Sequence, residues 1–223
     1  MSLVFEPIAH RYELDGAEVP SVTGVLRASG LIDFSQIPPS ILEAARERGT
    51  KVHQAIHYWG DGDLNVLEFA RDFPDLIGYL ESWMRLIDSG RLLTILREYR
   101  VASRRHRAAG TLDWLGVFDG HAAIIDFATG DPDDAFKDLQ TAGYCILGRE
   151  WKDEPGEGVL RAFFEHHPFV ARYSVRLTKT GSLPKITPYT NPRDFSEFAA
   201  LVAAQHIVKA RKPKAIDWQE YAA

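Results

Sequence analysis

Two aspartates stand where chemistry is possible. Asp113 closes the motif GTLD at 110–113, and Asp126 sits inside IIDFATG at 124–130. Each falls near one end of an expected strand, and the tight Asp119-Gly120 turn joins the two strands. Adjacent antiparallel strands then bring both carboxylates to one end of a sheet, near enough to share a divalent cation. Two carboxylates with a backbone carbonyl and water suit Mg²⁺ or Mn²⁺, hard ions that prefer oxygen. Taken singly, either aspartate reads as a solvated carboxylate beside a turn. Asp126 resists that reading, because it follows Ile124-Ile125 and precedes Phe127, and an unpaired carboxylate inside an apolar strand is costly.

Other residues fall into range of the same chemistry. In RGTKVH at 48–53, a helical His53 offers an imidazole to the ion, or is simply a structural histidine. His57, one turn later, permits a two-histidine pair, but no HExxH pattern accompanies it to make a zinc centre. Gln140 and Tyr144 share a helical face. Between Glu98 and Asp113 no acidic residue occurs, while Arg100, Arg104, Arg105 and Arg107 cluster with His106. That basic turn can steer a phosphate chain toward Asp113, or be a solvated β-turn. Lys209, Arg211, Lys212 and Lys214 form a second basic run, which reads as a favourable helix end. Trp59, Trp83 and Trp114 are expected in the core, since a base-stacking platform needs exposure.

These residues need a scaffold, and the elements for one are legible. Residues 10–19 read as a hairpin turning at Asp15-Gly16, and Ser21 as the N-cap of a short helix. A second helix is expected from Ser40, with Glu43 completing a capping box, an interruption at Gly49, and a continuation over 50–59. A further helical region over 64–87 breaks near Pro74 and carries Leu76, Leu80, Trp83 and Ile87 at helical spacing. Strands follow at 92–103, 108–118 and 121–127. Asp133 or Asp134 then caps a helix to about 147, and 151–158 is a surface loop. A hairpin pairs 172–179 with 185–189 across Thr180-Gly181, and Asn191-Pro192 opens a last helix to about 211. Helices, consecutive strands, then helix and hairpin give an α+β arrangement around a mixed sheet.

Composition bounds the rest. The chain has 223 residues, 45% apolar and 26% charged, the balance of an ordinary folded protein. No linker-like stretch divides it, so 1–223 is expected to be a single domain. Its formal net charge of −5 argues against a surface coated in DNA-binding charge, but leaves room for a local basic groove. No apolar run approaches the ~18 residues of a membrane span, and the opening MSLVFE lacks the basic start and apolar stretch of a secretion signal. The one cysteine, Cys145, excludes an internal disulfide and a four-cysteine zinc or iron–sulfur site, so a reducing cytoplasm is the expected location.

The order GTxxH (49–53), GTxD (110–113), apolar-apolar-Asp-x-x-Thr-Gly (124–130) and QxxxY (140–144) resembles the RecB-like branch of the PD-(D/E)XK nuclease superfamily, closest to its phage and prophage proteins. PSVTGVL at 20–26 and the late hairpin plus helix extend the resemblance over most of the chain. It implies a restriction-endonuclease-like fold and a metal-dependent deoxyribonuclease, with exonuclease action the leading form. His53, Asp113 and Asp126 would be metal ligands, with the backbone carbonyl of Phe127. Gln140 and Tyr144 would face the active site and help position the DNA backbone. Glu98 matches a frequent acidic position, where a supporting role is expected. Many relatives carry an iron–sulfur cluster on four cysteines, which Cys145 alone cannot build. The implied partner is single- or double-stranded DNA, with no membrane, in a bacterial or phage-infected cell.

One position departs from the pattern. The superfamily expects lysine two residues after the second acid, and this chain has Ala128. That lysine would help orient or activate the attacking water and offset charge in the transition state, and alanine can do neither. The intact Thr129-Gly130 beside it favours an inactivated form of a working enzyme. Natural loss of catalysis in a nucleic-acid-binding or assembly protein is one alternative. Another is a lysine acting from elsewhere, for which Lys137 is the candidate, although it also reads as a solvated helix-start residue. A zinc hydrolase using His53, His57 and the aspartates on another substrate is the remaining rival.

Overall fold

The computed structural model describes residues 2–7, 9–31, 35–130 and 136–211. A small antiparallel sheet opens the chain, with β1 (Leu3–Glu6), β2 (Arg11–Leu14) and β3 (Ala17–Val19) in that order. The β2–β3 hairpin turns as expected through Asp15 and Gly16, both at positive φ, and β1 is an additional strand on its edge. Helix α1 (Val22–Ala28) follows, and its N-cap Ser21 accepts a hydrogen bond from the Gly24 N–H at 2.9 Å.

Helix α2 (Pro39–Asp61) differs from expectation in two ways. It begins at Pro39 with Pro38 as N-cap, so Ser40 already lies inside the helix and forms no capping box. It also runs unbroken through Gly49. An interior glycine costs about 1 kcal/mol, a cost outweighed here by the burial of Val52, Ala55 and Ile56 on one face. Helices α3 (Val66–Asp72) and α4 (Ile77–Asp88) flank the break at Pro74.

Next come three strands, β4 (Leu92–Ser103), β5 (Ala108–Phe118) and β6 (His121–Ala128), then α5 (Lys137–Trp151) and α6 (Gly158–His166). The expected caps Asp133 and Asp134 lie outside the described residues. Helix α6 was not foreseen, because the charged Gly/Pro-containing stretch before it masks its start; its apolar face buries Leu160, Phe163 and Phe164. Strands β7 (Ala171–Arg176) and β8 (Lys185–Tyr189) form the late hairpin, and α7 (Arg193–Arg211) closes the described chain. Asn191 accepts a hydrogen bond from the Arg193 N–H at 3.1 Å, the bond expected of an N-cap.

The large sheet has the order β4-β5-β6-β7-β8, antiparallel throughout except for the parallel pair β6–β7. Its outer strands are irregular: β4 carries a bulge between Thr94 and Leu96, and β8 carries Pro188. Both faces are covered. Leu112, Leu115 and Ile124 pack with Leu26, Tyr144, Leu147 and Phe198 on one side, while Trp114, Ile125 and Phe127 pack with Val52, Ile56, Leu80 and Trp83 on the other. Alternate residues of β6 feed opposite cores, and β5 contributes to both, which is why these strands read as nearly continuous apolar runs. A buried arginine ties the helices to this frame. Arg172 of β7 bonds the Asp138 carbonyl of α5 at 2.7 Å, the Asn191 carbonyl at 3.0 Å and the Asp194 carboxylate of α7 at 2.7 Å. No helix among the described residues is long and apolar enough to cross a membrane.

Candidate functional site

Three elements bring the site together. In the β4–β5 ladder, Ser103 pairs with Ala108, Tyr99 with Leu112 and Arg97 with Trp114, which sets Glu98 directly opposite Asp113. Opposed residues of an antiparallel pair present their side chains on the same face. Glu98 holds φ of +45°, a left-handed conformation unfavourable for a residue with a Cβ. Helix α2 brings His53 to this pair, its ring in a T-shaped contact with Phe127. His53 Nδ1 lies 3.3 Å from Glu98 Oε1 and 3.6 Å from Asp113 Oδ1. Asp113 is buried, and its Oδ2 accepts the Phe127 backbone N–H at 2.8 Å.

Asp126 is also buried, one residue along β6 from Phe127. Its Oδ1 accepts from the Gln140 side-chain amide at 2.5 Å, and its Oδ2 is paired with the Lys137 ammonium. The same Gln140 amide lies 3.2 Å from the Tyr144 hydroxyl. The first two turns of α5 therefore answer the cost of a carboxylate buried in an apolar strand. Gly110 of the GTLD motif makes this possible, since a Cβ there would come within 2.9 Å of the Tyr144 ring and 3.1 Å of Val22. Arg48, preceding the GTKVH segment on α2, reaches Thr129 Oγ1 at 3.5 Å, so the motifs at 48–53 and 124–130 meet in space. Ala128 follows on β6 and presents no polar side-chain atom.

Electrostatics follow from this crowding. Burial alone would drive His53 toward its neutral form, but the carboxylates of Asp113 and Glu98, with Asp126 farther off, reverse that and raise its pKa to about 9. Burial pushes the Asp113 carboxyl up; the neighbouring His53 pulls it back, while Asp126 and Glu98 add like charge. The Tyr144 phenol is raised well above its ordinary value by burial and by the two aspartates.

The donor set fits a hard divalent cation. Donor atoms of His53, Glu98 and Asp113 all lie within 4.8 Å of one another. Opposite ligands of an octahedral ion of Mg²⁺ size stand about 4.2 Å apart, so a small inward movement suffices. An imidazole with two carboxylates also suits Mn²⁺. Glu98, expected as a supporting residue, is thus among the donors, while Asp126, expected as a ligand, has its oxygens on Lys137 and Gln140. The signal for Glu98 was in the register: counting back along both strands from the turn at 104–107 lands on 98 opposite 113. His57 faces Asp61 at 3.5 Å rather than joining this group.

His53, Glu98, Asp113, Asp126, Gln140 and Tyr144 line a cavity of about 870 Å³, together with residues of the N-terminal sheet. The basic cluster divides. Arg100 lines this cavity. Arg104 is ion-paired with Asp15 at 2.7 Å and with Glu154, and lies over Trp151. Arg105 and Arg107 line a separate cleft with His206 and Lys209. Arg211 is exposed at the end of α7, and Lys212 and Lys214 lie outside the described residues. Trp83 and Trp114 are buried and Trp59 half-buried.

The donor cluster thus sits at one side of a mixed five-stranded sheet flanked by helices, on β4 and β5 and under α2. No family model matches the chain, and no curated protein does. Among solved structures it is similar to "Putative exonuclease" from Eubacterium rectale, with a TM-score of 0.51 and 15% identity, over 86% of this chain and 80% of that one. At that identity the likeness is one of fold.

Proposed function

We propose that the chain is a metal-dependent nuclease that hydrolyses phosphodiester bonds of DNA, with Mg²⁺ or Mn²⁺ as the ion. The observation that carries this reading is the convergence of His53, Glu98 and Asp113 from α2, β4 and β5 beside the buried Asp126. The motif order supports placing the site in the RecB-like group, and the similar structure's name supports exonuclease action. Both core clusters build on one sheet, which supports treating 1–223 as one catalytic unit. The single buried thiol of Cys145 suits the cytoplasm of a bacterial or phage-infected cell.

His53, Glu98 and Asp113 would hold the ion. The Phe127 carbonyl is a further candidate, since N–H and C=O of one strand residue face the same neighbour and its N–H faces Asp113. The bound ion would supply charge withdrawal from the scissile phosphate and a water of lowered pKa. Gln140 and Tyr144 orient Asp126 and offer hydrogen bonds to the DNA backbone. Lys137 keeps an ammonium at Asp126, on the side of the cavity where the superfamily lysine is missing at Ala128. Because the same ammonium is engaged by a buried carboxylate, it replaces that lysine only in part, and the chain as written is a slow or inactive form.

Cleavage of single- and double-stranded DNA with Mn²⁺ tests this. Ala128→Lys is expected to raise the rate on the order of 10²–10³-fold, and Lys137→Ala to remove residual activity of the unmodified chain. If Ala128→Lys cleaves neither substrate, the nuclease reading fails and a non-catalytic nucleic-acid-binding or assembly protein replaces it.

A further inference from the structure

The cavity that holds the acidic cluster is also lined by basic residues. Arg27 of α1 and Arg100 of β4 both line it, and both are exposed. Among the described residues neither has a carboxylate oxygen within 4.0 Å. By contrast, Arg91, Arg97, Arg104 and Arg172 each reach an aspartate at 2.6–2.7 Å. Burial and the nearby Arg46 guanidinium pull Arg27 below its ordinary pKa, as expected for a cation whose neighbour has the same sign.

Aromatic rings stand between these cations. Phe5 contacts His10 with ring centroids 5.1 Å apart and Tyr12 with centroids 4.7 Å apart, and Arg100 lies over the Phe5 ring at 5.1 Å. The group is fixed to the catalytic strand, because the Tyr12 hydroxyl meets Thr111 Oγ1 at 2.8 Å, two residues before Asp113. His10 is exposed at the rim of the wall. Guanidiniums without a carboxylate partner, beside aromatic rings in a cavity that also gathers metal donors, suit a polyanion with flat groups.

We infer that this arm is a subsite for a single nucleic-acid strand, in which Arg27 and Arg100 hold phosphates next to the scissile one and the Phe5 and His10 rings give a base its stacking face. The inference rests on the nuclease reading of the acidic cluster and adds the form of the substrate. A duplex keeps its base faces stacked inside, whereas an unpaired strand presents them, and cationic grooves with interleaved aromatics bind such strands with little sequence preference.

The test is binding of a labelled oligothymidylate to the full chain in EDTA, followed by fluorescence anisotropy across a salt series. Each phosphate contact on a single strand contributes about 0.7 to the slope of log affinity against log salt. Arg27→Gln with Arg100→Gln should therefore lower the slope by about 1.4, and the doubly Lys-substituted chain should restore it. His10→Ala should weaken binding by roughly tenfold and leave the slope alone. An unchanged slope in the Gln variant overturns the inference, as does failure of the unmodified chain to bind. A blunt duplex bound as tightly, with the same loss of slope, overturns the single-strand assignment. Manganese binding and cleavage by Ala128→Lys report on the acidic cluster independently, so the arm can fail while the nuclease reading stands.

Discussion

His53 sits in a place that burial alone would make hostile to a cation, yet it is held charged by the carboxylates gathered under it. Its folded pKa of about 9 exceeds the ordinary 6.5, so the stability it contributes is fully present below pH 6.5 and is lost as pH rises toward 9. In EDTA, urea denaturation should show stability falling across that window by up to about 3 kcal/mol, and His53→Gln should flatten the fall. A metal ion must displace that proton, so stabilisation by Mn²⁺ should grow over the same interval. Much of this constellation was legible in the chain. Asp113 and Asp126 were placed by two apolar strands and a tight turn, and His53 by a helix facing them. Lys137 was harder to see, because the motif directs attention to β6 whereas the amine arrives from the first turn of α5. Arg104 was misleading for the opposite reason: its partners, Asp15 and Glu154, are remote in sequence, and nothing local announces them.

At the scale of elements, the site depends on how closely α5 can approach β5. Gly110 sets that distance, since any Cβ there would press on the Tyr144 ring and on Val22. Gly110→Ala is expected to cost about 1–3 kcal/mol, read as a lowered melting temperature. It should also weaken activity of the Ala128→Lys form beyond what lost stability explains, because Tyr144 and Gln140 move together. The glycine of GTLD thus has a packing reason, one that spacing alone could not reveal. Expectation failed at Gly49 for a related cause. Local propensity suggested a break, but the buried face of α2 decided the outcome. Helix α6 was hidden because its start is marked by no side-chain cap.

Across the whole molecule, Arg172 links β7 to the start of α5 and to α7 while almost fully enclosed. Removing one member of a buried ion pair leaves the other charged and unpaired. Arg172→Ala should therefore lower unfolding free energy by about 3–5 kcal/mol in urea titration. Because the same guanidinium holds the Asp138 carbonyl, the variant should also loosen the turn that carries Lys137. The sheet's two outer strands have a different consequence. Fibril growth requires a straight, fully donating margin on which identical chains can accumulate. The kink at Thr94–Leu96 twists one such margin away, and the missing amide proton of Pro188 blocks the other. Both margins of the large sheet are thereby poor templates for a strand from a second copy of the chain.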